Sequence, residues 1–125
     1  MAKKRILWIS RHPPVQEETD ELRLLLGEHT VTIIPGVDHG ADSIDKMLDE
    51  HQPDQVVAIL PLSLVEVLLV RLKQRGMPRP WRPAWQHRRK YGDQGANAPD
   101  VFQGFDEILE MRYRKRRLNS NKEGE

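Results

Sequence analysis

Two short stretches of the chain combine residue types that grip and process phosphate. Ser10-Arg11-His12-Pro13-Pro14 follows the apolar run Ile6-Leu7-Trp8-Ile9, and Pro61-Leu62-Ser63 follows Val56-Val57-Ala58-Ile59-Leu60. A guanidinium such as that of Arg11 holds a phosphate through two parallel N–H bonds. The imidazole of His12 can donate to a phosphoryl oxygen or carry a proton, because histidine is the side chain that changes charge nearest neutral pH. Ser63 brings a hydroxyl, and at the start of a helix the unbonded amides around it, that of Leu62 included, form an anion site. Each residue also has a plainer reading: Ser63 as a helix cap, Arg11 and His12 as members of a solvated loop.

A third basic stretch contains Arg82, Trp85, Gln86, His87, Arg88 and Arg89. Strand alternation sends Trp85 and His87 to one face and Gln86 and Arg88 to the other, making Arg82, Gln86 and Arg88 ligand candidates. Trp81 and Trp85 either stack on bases or cover the sheet edge as core. The glycine-bearing loop Gly36-Val37-Asp38-His39-Gly40 adds Gly36 and His39 to the candidates.

Several chemistries are disfavoured. No G-x-G-x-x-G follows the first apolar run and no G-x-x-x-x-G-K-[ST] occurs anywhere, which argues against dinucleotide and P-loop sites. A metal site drawn from His12, Asp38, His39 and His87 lacks any H-x-x-x-H or H-E-x-x-H spacing, so neither metal nor cofactor is expected. Cysteine is absent, which excludes disulfides and thiolate chemistry and fits a reducing compartment. No Ser-His-Asp order supports acyl transfer, and the acidic residues read mostly as helix surface.

The elements that must position these groups alternate. Strands are expected over Arg5–Ser10, Thr30–Pro35 and Gln55–Leu60, because continuous apolar runs suit a sheet buried on both faces. Helices are expected over Val15–Leu26, with Leu22, Leu25 and Leu26 inward, and over Ser43–His51, with Ile44, Met47, Leu48 and His51 on one stripe. A third, running to about Arg75, is opened by Ser63-Leu64-Val65-Glu66 as a capping box. Asp42 or Ser43 can cap the second helix, and Gly27 and Gly76 end the first and third. Successive βαβ units give a parallel sheet, and a strand order 2-1-3-4 would bring the turns at Ser10 and Pro61 into one crevice. Beyond Gly76 a fourth strand is expected over Ala84–Arg89, a turn over Gly92–Asn97 and an antiparallel return over Val101–Phe105; Asp106–Leu118 is open between helix and strand. Residues 1–118 read as one α/β domain and Asn119–Glu125 as a polar tail.

Charge divides unevenly. Residues 1–70 carry 6 Lys or Arg against 12 Asp or Glu, and residues 71–125 carry 14 against 7. Between Glu66 and Asp93 there are eight basic residues and no carboxylate, a zone that attracts phosphate or simply keeps the surface solvated. With no secretory signal and no apolar run long enough to span a bilayer, a cytoplasmic protein with no membrane partner is expected.

In the order of its motifs the chain resembles the small single-domain Rossmann-like proteins associated with CRISPR systems, related to the CARF domain and the ring nucleases. The likeness is carried by Ile6 to Pro13, Leu26-Gly27, Leu60 to Leu64, Arg75-Gly76-Met77-Pro78 and the Phe102 to Ile108 return, within residues 5 to 108. It implies binding of cyclic oligoadenylate across a homodimer, in antiviral defence. It also implies metal-independent cleavage by an oriented ribose 2′-hydroxyl, with Ser10, Arg11 and His12 under the ring and Ser63 on a phosphate. Val15 departs from the pattern, where a capping Thr or Ser is expected. The competing expectation is a non-enzymatic RNA- or DNA-binding or dimeric interaction module built on the basic 71–90 and 112–117 segments.

Overall fold

Ile6 to Ile9 are apolar on both sides of a strand, and all four are buried. A computed structural model describes residues 3–37, 41–86 and 100–110, and there they form an interior strand of a five-stranded sheet. The elements are β1 (Lys4–Ile9), α1 (Gln16–Leu26), β2 (His29–Ile34), α2 (Ala41–His51), β3 (Gln55–Ala58), α3 (Leu62–Gln74), β4 (Trp81–Gln86) and β5 (Val101–Glu107). Sheet order is β2-β1-β3-β4-β5, with β1 to β4 parallel and β5 antiparallel to β4.

Alternation splits the core in two. Leu7 and Ile9 join Val56, Ala58, Ile44, Leu48, Leu64, Leu68 and Leu72 on the face covered by α2 and α3. Ile6, Trp8 and Val57 join Leu22 under α1, with Trp81 and Phe105 packed alongside. The inward stripe of α1 is therefore Glu18, Leu22 and Leu26 rather than Leu22, Leu25 and Leu26: Leu25 is 49% exposed, whereas Glu18 is only 5% exposed. No helix among the described residues is long and apolar enough to cross a membrane.

The β4–β5 pair differs most from the sequence-based expectation. β4 begins at Trp81, not Ala84, because Trp81 is the residue that packs into the α1-side core. Its Pro83 sits in the strand pairing only with β5, where its missing N–H is tolerated. Trp81 lies opposite Val57, so Arg82 is level with Ala58 and β4 continues four residues, about 13 Å, beyond the end of β3. A bulge then shifts the register: Ala84 faces Gly104 but Trp85 faces Phe102, leaving Gln103 as the extra residue. Gly104 has φ 108°, a conformation that L side chains rarely adopt. The bulge lets Phe102 and Phe105, three apart, turn to the same side. There they form an aromatic cluster with Trp8, Trp81 and Trp85, at centroid separations of 5.1 to 6.2 Å. Trp81 and Trp85 are thus committed to packing. The expected strand residues 87–89, the turn at 92–97, and residues 111–125 lie outside the described residues.

Candidate functional site at the carboxyl edge of the sheet

The turn after β1 is fixed by its own side chains. Trp8 is almost wholly buried, and a buried indole needs an acceptor for its N–H. It donates to the carbonyl of His12 at 2.8 Å, while the His12 N–H donates to Ser10 Oγ at 3.2 Å. The backbone of His12 is therefore held from both sides. Ser10 itself is buried, whereas Arg11 and His12 are exposed and carry no ion pair among the described residues.

The ends of β2, β1 and β3 are stitched together just below this turn. The Ser10 N–H donates to the Ile34 carbonyl at 3.0 Å, and the Ile59 N–H donates to the Ile9 carbonyl at 2.9 Å. With Ile9 opposite both Ile34 and Ala58, the Ser10–His12 turn stands between the segment leading to Gly36 and the segment leading to α3. The sequence-predicted residues Ser10, Arg11, His12, Gly36, Leu62 and Ser63 all lie at this one edge. His39 and Arg88 lie outside the described residues.

The start of α3 differs from the capping box expected at Ser63. The N-cap is Pro61, whose carbonyl accepts from the N–H groups of Leu64 (3.0 Å) and Val65 (3.0 Å). Proline has no side-chain acceptor, so the helix opens without a side-chain cap. Ser63 is the second helical residue; its exposed hydroxyl and the amides of Leu62 and Ser63 have no partner among the described residues. At α1 the reverse holds. Val15 is the N-cap and cannot cap with its own side chain, but Glu18 Oε1 reaches back and accepts from the Val15 N–H at 2.9 Å. The other carboxylate oxygen accepts from Trp85 Nε1 at 3.0 Å, tying β4 to the top of α1. Likewise α2 begins at Ala41, so Asp42 and Ser43 fall within its first turn instead of capping it.

Arg82 and Gln86 project from β4 on the face opposite the α1-side core, the face on which α3 begins. Both are exposed. The rest of the basic zone is less available than its sequence suggests. Arg71 pairs with Asp45 at 3.6 Å, and Arg75 pairs with Asp49 at 2.7 Å and Asp45 at 3.3 Å, fastening α3 to α2. The hydrogen bond that Arg75 donates to Asp49 raises the guanidinium pKa above its ordinary value, with burial opposing and Asp45 adding to the rise. Lys73 and Arg79 line a cavity of about 710 Å³ together with Glu66, Glu107 and Glu110. This cavity lies along the C-terminal half of α3, and a smaller one of about 300 Å³ lies between Ile34, Gly36 and α2; neither includes Arg11, His12 or Ser63. Arg11, His12, Leu62 and Ser63 lie instead on the exposed surface of the carboxyl edge. Among the described residues no group of three His, Cys, Asp or Glu side chains is placed to hold a metal ion.

Two residues of this region escape sequence reasoning. Glu18 reads as an exposed first-turn acid, although its place four before Leu22 and three after Val15 is the available signal. Gln103 reads as an ordinary strand residue because nothing in the sequence but Gly104 announces the bulge. Comparison with protein-family models, curated proteins and solved structures gave no significant match. What defines the protein is therefore its own geometry: a mixed α/β domain with a mostly parallel five-stranded sheet and a basic turn at the sheet's carboxyl edge.

Proposed function

We propose that the chain is a Rossmann-like nucleotide-binding protein whose ligand is a cyclic oligonucleotide of the oligoadenylate type, bound at the carboxyl ends of β1 and β3 and cleaved without a metal ion. One observation carries the reading. The His12 backbone is clamped by Trp8 and Ser10, which fixes a turn bearing the exposed Arg11 and His12 at the same sheet edge as the uncapped amides of Leu62 and Ser63. A guanidinium on a turn at the same sheet edge as an uncapped helix start suits an anion, and this edge is where ligands bind open α/β sheets. The overhanging β4 supplies a further cation, Arg82, on the same side as α3.

In the proposed reaction a ribose 2′-hydroxyl of the ligand attacks the adjacent phosphorus in line. The new bond is O2′–P, the broken bond is P–O5′, and the products carry a 2′,3′-cyclic phosphate and a 5′-hydroxyl. The proton lost from the 2′-hydroxyl is matched by the one gained at the 5′ oxygen, and His12 moves it. Arg11 and the amides of Leu62 and Ser63 hold the non-bridging oxygens, where charge builds in the transition state. Assembly as a homodimer, which would close the exposed carboxyl edge over a ring, belongs to the same proposal.

The test is incubation of the protein with cyclic oligoadenylates in the presence of chelator, with products resolved by mass. Linear products ending in a cyclic phosphate are expected from the wild type, and Arg11→Ala and His12→Ala should slow their formation while leaving thermal unfolding unchanged. Intact rings after prolonged incubation would remove the cleavage step. Equal turnover in both variants would remove the residue assignments.

A further inference from the structure

The two edges of the sheet are finished differently. β5 carries the bulge at Gln103 and the acids Asp106 and Glu107, devices that keep an edge from pairing with another chain. β2 carries neither. Its six residues, His29 to Ile34, include no proline, glycine, lysine or carboxylate, and all those after His29 are β-branched. Among the described residues β2 pairs only with β1, in unbroken register from Lys4 opposite His29 to Ile9 opposite Ile34.

The register decides which backbone groups of β2 are left over. The Glu28 and Ile34 carbonyls accept from the N–H groups of Lys4 (3.1 Å) and Ser10 (3.0 Å), so the even-numbered residues of this segment turn their amides toward β1. Successive residues of a strand alternate, and the N–H and C=O groups of His29, Val31 and Ile33 therefore point away from the sheet. None of these groups has a partner among the described residues. They form a row about 14 Å long in which a donor and an acceptor recur every ~7 Å, the repeat of another extended chain.

The two faces beside this row differ. On the α1 side Val31 packs with Leu26 against the core, and Ile33, opposite Trp8, is 43% exposed. On the α2 side stand the exposed Thr30 and Thr32, with Glu50 lining the small cavity beside Ile34. Residues 1–70, which hold β2 and its neighbours β1, α1 and α2, carry 6 Lys or Arg against 12 Asp or Glu. A second copy brought edge to edge meets like charge there, whereas a basic strand meets opposite charge.

We infer that β2 is the docking edge for an extended basic segment of a partner polypeptide, which adds to the sheet as a further, antiparallel strand. The segment alternates. Its apolar side chains lie beside Val31 and Ile33 on the α1 side, and its lysine or arginine side chains lie beside Thr30 and Thr32 on the α2 side. Backbone bonds to His29, Val31 and Ile33 hold it, and the acidic half of the chain selects its charge. This edge is separate from the turn at Ser10 to His12, so the inference stands without the nucleotide reading.

The test adds a nine-residue peptide of alternating valine and lysine to the full chain and follows amide hydrogen exchange and affinity. In the protein alone the amides of His29, Val31 and Ile33 should exchange much faster than those of Thr32 and Ile34, and the peptide should protect them. The same peptide N-methylated at its valines, the residues paired with Val31 and Ile33, lacks the donors and should bind at least about tenfold more weakly. Glutamate in place of lysine should weaken binding at least as much, by about tenfold. Ile33→Pro removes an outward N–H and no bond to β1, so it should keep the fold while abolishing protection at His29 and Val31. Equal binding of the plain and N-methylated peptides would overturn strand addition, and equal binding of the lysine and glutamate peptides would overturn the basic partner. Slow exchange at His29, Val31 and Ile33 in the protein alone would overturn both, since the edge would then be filled by this chain or by a second copy.

Discussion

Replacing Glu18 by Ala removes the side-chain bond to the N-cap of α1 and the link from that helix to β4. Glu18 is 5% exposed, and its two carboxylate oxygens accept from the Val15 N–H at 2.9 Å and from Trp85 Nε1 at 3.0 Å. The substitution leaves two donors in a partly buried setting, each costing about 1 to 2 kcal/mol, so the sum is about 2 to 4 kcal/mol. For a chain of this length that is a fall in Tm of about 10 °C. Glu18→Gln keeps one acceptor but turns an NH2 group toward the second donor, and should lose roughly half as much. Glu17→Ala, at an exposed neighbour, should stay within about 0.5 kcal/mol of wild type. Urea unfolding followed by tryptophan fluorescence measures all three, and the Trp85 contribution should shift to the red in Glu18→Ala as its indole gains water. A Glu18→Ala midpoint equal to that of Glu17→Ala would refute the claim that this carboxylate joins α1 to the overhanging strands.

Gly104→Val should destabilise by about 1 to 3 kcal/mol, since φ 108° is strained for any β-branched residue, and loss of cooperativity in the unfolding curve would accompany a slipped β5 register. Leu22→Ala, at a fully buried position on the α1-side core, should cost about 2 to 5 kcal/mol by calorimetry; a loss under 1 kcal/mol would mean that α1 does not pack there as described. Arg75→Ala should lower Tm slightly at low salt and not at high salt, because its pairs with Asp45 and Asp49 are partly solvent-exposed; a salt-independent loss would contradict an ionic role. Arg11→Ala should weaken nucleotide affinity with no change in Tm, as its exposed side chain holds nothing in the fold.

The parallel half of the fold was legible because each strand is a short apolar run and each helix carries a stripe of matching period. Ile6 to Ile9 and Val56 to Ala58 can only be buried on both faces, and that alone requires helices above and below the sheet. Helix starts were less legible. Ser63-Leu64-Val65-Glu66 has the form of a capping box, yet Pro61 takes the N-cap two positions earlier and the helix begins at Leu62. Val15 seemed a poor cap, and the reach-back of Glu18 supplies what its own side chain cannot. The sequence pattern starts β4 three residues late because Pro83 argues against a strand, an objection that lapses when the pairing partner does not need its N–H. The candidate site was readable from the turn residues at Ser10 to His12, while the bulge in β5 was not, since only the register reveals it.

The central claim is that a nucleotide phosphate sits on the turn after β1 and the first turn of α3. Backbone amide chemical shifts, followed while cyclic oligoadenylate is added, test it most directly. The account predicts saturable changes concentrated at Arg11, His12, Leu62 and Ser63, with smaller ones at Arg82 and Gln86. Changes confined to Leu69 to Lys73 and Glu107 to Glu110, around the larger cavity, or no changes at all, would contradict it.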